Sequence, residues 1–112
     1  MAHIKTFSEL NFTSLNGKNF EYTYKGSGMH GEVTFDDKNA NWVILAGENK
    51  GMSGSDPYKA MTVSAGIFFV MWHESTNNIT VVLTINENSE AVFASVVSPE
   101  EVEFDVAEFN IN

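Results

Sequence analysis

The chain contains neither cysteine nor arginine. The first absence excludes disulfides, thiolate metal sites and cysteine nucleophiles, and leaves the redox compartment open. The second removes the planar guanidinium that grips carboxylates and phosphates through two hydrogen bonds, so an anionic ligand would depend on lysine, tyrosine or backbone N–H groups. Positive charge of any kind is scarce, with six basic residues against 15 acidic ones and a net charge of −9. Phosphate backbones and anionic lipids attract basic surfaces, so nucleic-acid and membrane partners are not expected. Long apolar runs are missing too. The longest, Ala65 to Trp72, is far short of a membrane span. Met1 to Lys5 has no apolar signal core, and a cytoplasmic location is the expectation.

What is present describes a folded β-protein. Hydrophobic residues make up 43% and aromatics 12% of 112 residues, enough for one core and one domain spanning residues 1–112. Strand-like segments recur at short spacing: Phe20 to Tyr24, Gly31 to Phe35, Trp42 to Ala46, Tyr58 to Val63, Ile67 to Glu74, Ile79 to Ile85, Ala91 to Val97 and Val102 to Ile111. Turn chemistry separates them, as at Lys25-Gly26-Ser27-Gly28 and Asn86-Glu87-Asn88-Ser89. Gly47 to Pro57, with three glycines and a proline, reads as a long, flexible rim loop. Gly51-Met52-Ser53-Gly54-Ser55 within it lacks the lysine and following helix of a phosphate-binding loop. The fold expected is all-β, an antiparallel barrel of about eight strands, because closure removes the exposed edges of an open meander. Residues 1–16 form a lead-in in which Ile4, Phe7, Leu10 and Leu15 suit a short helix or a plug over one barrel end. Five acids alternate with apolar residues after Ser98, which fits an outer or edge strand with one wet face.

Chemistry concentrates in Ile67 to Glu74. Alternation sends Phe68, Val70, Trp72 and Glu74 to one face and Ile67, Phe69, Met71 and His73 to the other. Both faces are largely apolar, so the strand should be covered on each side. Glu74 then sits either at a wet end or inside a cavity, where lost hydration raises its pKa or a hydrogen bond to Tyr22 or Tyr24 holds it. With Trp72 and Glu74 inward, Phe20, Tyr22 and Tyr24 can join them, with Val33, Phe35, Trp42, Ile44, Tyr58 and Ala60 from neighbouring strands. These residues either fill the core or wall a pocket for one small molecule. His3, His30 and His73 show no metal-ligand spacing, so no metal and no cofactor are expected.

Three stretches carry a resemblance: Gly17 to Gly26 with its Tyr22-Thr23-Tyr24, then Tyr58-Lys59-Ala60, then Phe69 to Glu74 ahead of Val81-Val82-Leu83. In that order, over roughly residues 15–97, they resemble the calycin-type, lipocalin-like barrels related to MoaF, whose wider relatives include the phenolic acid decarboxylases. The decarboxylase likeness implies Tyr22 and Tyr24 as the carboxylate-holding pair and Glu74 as the acid/base, but that family's arginine has no counterpart here. The function expected is therefore non-catalytic binding of a small apolar or aromatic molecule by Tyr22, Tyr24, Trp42, Tyr58, Trp72 and Glu74. A lyase using Glu74, Tyr22 and Tyr24 is the alternative. A protein-interaction module, dimeric through its outer strands, is the second.

Overall fold

The computed structural model describes residues 12–110. Eight strands follow one another: β1 (Asn19–Tyr24), β2 (His30–Phe35), β3 (Asn39–Ala46), β4 (Ser53–Ser64), β5 (Ile67–Glu74), β6 (Ile79–Asn86), β7 (Ala91–Val97) and β8 (Val102–Phe109). Each pairs antiparallel with the next, and β8 returns to β1, closing the barrel through Tyr22↔Phe109, Thr23↔Glu108 and Tyr24↔Ala107. Val102–Phe109 is thus the closing strand rather than a free edge. Period-two alternation turns one row of each strand inward: Phe20, Tyr22 and Tyr24 from β1, Trp42 and Ile44 from β3, Phe68, Val70 and Trp72 from β5, Val81, Leu83 and Ile85 from β6. No buried polar side-chain atom among the described residues lacks a hydrogen-bond partner.

The two ends of the barrel differ. At one end Leu15 is fully buried, and its N–H donates to the Tyr58 hydroxyl at 2.9 Å. That hydroxyl in turn donates to the Asp36 carbonyl at 2.9 Å. Phe35 packs edge-on against Tyr58 and Trp72, with ring centroids 4.8 and 6.0 Å away. The segment before Leu15 has no regular secondary structure where it is described and is tied to β4: Thr13 N–H donates to the Ala60 carbonyl, and its hydroxyl accepts from the Thr62 N–H. Ile4, Phe7 and Leu10 lie outside the described residues. Thr13 and Leu15 thus cover this end. The other end, where the turns β1–β2, β3–β4, β5–β6 and β7–β8 converge, is open.

Two expectations are corrected. The long loop over Gly47 to Pro57 is only the turn 47–52, held by hydrogen bonds from Gly51 N–H to the Ile44 carbonyl and from Ile44 N–H to the Met52 carbonyl. Ser53, Ser55 and Asp56 belong to β4. Pro57 is tolerated because it sits where β4 changes partners: residues 53–57 pair with β3, and pairing with β5 begins at Tyr58↔Trp72. A missing N–H there removes no ladder bond. The second correction concerns β5, whose outer face is open. Phe69 and Met71 are exposed, in one field with Phe93, Val97, Val102 and Phe104 of β7 and β8. Among the described residues no helix is long and apolar enough to cross a membrane.

Candidate functional site

A cavity of about 520 Å³ enters the barrel from the open end, lined by Tyr22, Tyr24, Trp42, Trp72 and Glu74 among others. Strand parity explains their meeting. Tyr22 and Tyr24 are two apart on β1, and Trp72 and Glu74 two apart on β5, so each pair shares the inner face.

The tyrosine rings stand nearly perpendicular, centroids 5.4 Å apart. The interaction between the two phenols lowers Tyr22 somewhat and raises Tyr24. Burial is the larger influence and pushes both phenols well above their ordinary value, with the negative charge of Glu74 acting in the same direction. Both therefore remain protonated at neutral pH, as neutral hydrogen-bonding groups.

Glu74 is 6% exposed. The indole Nε1 of Trp72 donates to its Oε2 at 3.0 Å, and the amide of Asn77 donates to its Oε1 at 2.9 Å. Burial raises its pKa; these two bonds pull it back in part, and the charge of Asp56 pushes it up again. The pKa moves as expected of a cavity carboxylate, but the partners are Trp72 and Asn77 rather than the tyrosines. Two donors leave lone pairs free on both oxygens.

Beside this pair stands a second, which the sequence reading missed. Trp42 Nε1 donates to Asp56 Oδ2 at 3.0 Å, and the Ser75 hydroxyl and N–H donate to Asp56 Oδ1 at 3.1 and 3.3 Å. Asp56 is buried behind the Trp42 wall, and Gly54 opposite Trp42 gives the indole its room. The signal was present: carrying the alternation of Tyr58 and Ala60 back through Pro57 turns Asp56 inward.

Tyr58 is the one expected ligand contact that the structure places elsewhere. It faces inward, but its hydroxyl is committed at the closed end to Leu15 and Asp36, and it does not line the cavity. His73 faces outward to the Thr80 hydroxyl, and His30 pairs with Glu21 at 2.8 Å outside the barrel. Among the described residues no group of three or more histidines, aspartates and glutamates could hold a metal ion.

No curated protein sequence matches the chain. A solved structure from Burkholderia vietnamiensis, described as that of a "putative beta-lactamase", superposes with a TM-score of 0.78 over 90% of this chain and 98% of that one. At 18% identity this likeness concerns the fold alone. Residues 3–99 match the family described as the MoaF N-terminal domain, a span that contains the motifs of β1, β4 and β5. The chain belongs to the MoaF family.

Proposed function

We propose that the barrel binds one small molecule with an aromatic or apolar body in its open cavity. The observation that carries this reading is the cavity itself. A space of about 520 Å³ lies within the range of small-molecule sites, and its wall combines aromatic faces with a few convergent polar groups. Trp42 and Trp72 make the site its own reporter. Titration with the neutral dye Nile red and with small aromatic compounds, followed by tryptophan fluorescence and melting temperature, should show saturable binding. Trp72→Ala should weaken it at least tenfold. Compounds that shift neither signal at millimolar concentration would defeat the reading.

A lyase is the second reading, favoured by Glu74 and the two phenols sharing that cavity. Its cost is the missing arginine: a phenolic acid would bring its carboxylate to a wall without a cation. Incubation with p-coumaric or ferulic acid, read by the loss of cinnamate absorbance, decides it, and no turnover is expected. A homodimer through the open outer face of β5, β7 and β8 is compatible with either reading. Light scattering on the purified protein measures it directly.

A further inference from the structure

The cavity has a charge pattern as well as a shape. Glu74 lies inside it, and Glu48, Glu101, Glu103 and Asp105 surround its mouth. No lysine or histidine is among the lining residues. Of the described lysines nearest in sequence, Lys25 pairs with Glu108 at 2.8 Å, Lys18 pairs with Glu87 at 3.0 Å at the other end, and Lys50 is exposed and not among the lining residues. The mouth acids come from two sides. Glu48 belongs to the β3–β4 turn and Glu103 to β8, and Glu103 is pushed above its ordinary value first by Glu101 beside it and then, more weakly, by the charges of Asp105 and Glu48.

We propose that the cavity selects a small organic cation, a protonated amine or quaternary ammonium on an aromatic or aliphatic body, over neutral or anionic molecules of the same shape. This rests on the small-molecule reading above and names its ligand class. Three features act together. The carboxylates at the mouth focus a negative potential into a low-dielectric hollow, which concentrates cations and repels anions. Inside, the aromatic rings of Trp42, Trp72, Tyr22 and Tyr24 line the walls, the residue types that hold an alkylammonium group. On the β5 wall beside the β5–β6 turn, Glu74 retains unused lone pairs on both oxygens to accept ammonium N–H donors. Its buried carboxylate is hydrogen-bonded by two neutral donors and by no cation, and a bound ammonium would supply that direct counter-charge.

The test uses three probes of nearly one shape: 2-phenylethylammonium, 2-phenylethanol and phenylacetate, titrated calorimetrically and by tryptophan fluorescence at low and at 0.5 M salt. The ammonium should bind at least tenfold tighter than the alcohol, phenylacetate should not bind, and salt should weaken only the ammonium. Glu74→Gln should lose at least tenfold for the ammonium and clearly less for the alcohol. The double substitution Glu101→Gln/Glu103→Gln, on the exposed mouth where folding is not at stake, should cost the ammonium a few-fold and flatten its salt dependence. Equal or tighter binding of the alcohol or of phenylacetate overturns the charge selectivity and leaves small-molecule binding intact. If the ammonium does not bind, the proposal fails, and Nile red then tells whether the cavity reading fails with it.

Discussion

Gly54→Ala tests the site through its tightest packing. Gly54 stands opposite Trp42 on the neighbouring strand, and a methyl group there would lie 2.6 Å from Cζ2, 2.8 Å from Cε2 and 2.9 Å from Nε1 of the indole. Ordinary contact begins at 3.4 Å, so from 2.6 Å the ring must recede by about 0.8 Å. Trp42 is buried and cannot swing into solvent. Its bond to Asp56, now 3.0 Å, would stretch beyond hydrogen-bonding range, leaving the carboxylate without its indole donor. Overpacking costs about 1–3 kcal/mol, and a lost bond to a charged group about 1.5–3 kcal/mol. The two overlap, because relief of one is the stretching of the other, so about 2–4 kcal/mol is the expected loss. For a chain of this size that is a fall in melting temperature of about 10–20 °C. Differential scanning calorimetry measures it, and a double-mutant cycle identifies the cause. Trp42→Phe removes the three clashing atoms, so in that background Gly54→Ala should cost little. A melting temperature within about 2 °C of the parent, or an equal cost in both backgrounds, would refute the reasoning.

Glu74→Gln should be neutral or stabilising at pH 7. The folded pKa of Glu74 is raised, chiefly by burial, so the native state binds this proton more tightly than the unfolded chain. The resulting stability is complete below the unfolded value of about 4.3 and is lost as pH rises through the folded one. Urea melts at pH 7 should therefore show the variant no weaker than wild type, with any gain shrinking toward pH 4; a variant plainly weaker at pH 7 contradicts the assignment. Asp56→Ala strands the Trp42 and Ser75 donors and should cost about 2–3 kcal/mol in the same melts. Asp105 behaves oppositely to Glu74. Burial pushes it up, but hydrogen bonds from the N–H groups of Gly26, Ser27 and Val106 outweigh this and leave it below the usual carboxylate range. Its contribution is present above the unfolded value of about 3.9 and is lost as pH falls through the lower folded one. Asp105→Asn should consequently be less stable at pH 6 and show a shallower acid limb between pH 4 and 2, followed by circular dichroism.

Parity and turn chemistry made most of the barrel legible in the sequence, and what escaped did so for physical reasons. Alternation assigns a side chain to a face of a strand, which is why Tyr22, Tyr24, Trp42, Trp72 and Glu74 were placed inward together. It says nothing about height along the barrel. Tyr58 shares their parity and sits opposite Trp72, yet its hydroxyl reaches toward the closed end, where Leu15 and Asp36 take it. Height follows from connectivity instead: in an up-and-down barrel alternate turns share an end, so Ser27, Glu48, Asn77 and Glu101 had to meet around one mouth. Asp56 escaped because proline and glycine usually mark loops, and that rule fails where a strand exchanges one neighbour for another. The outer face escaped for a different reason. Phe69, Phe93 and Phe104 have the composition of a buried row, and burial by the chain's own elements cannot be told from exposure by composition alone. The features that did show are the ones a cavity needs. An inward carboxylate two residues from a tryptophan is costly as core and useful as a wall, and the barrel keeps Glu74 buried with only an indole and an amide for company.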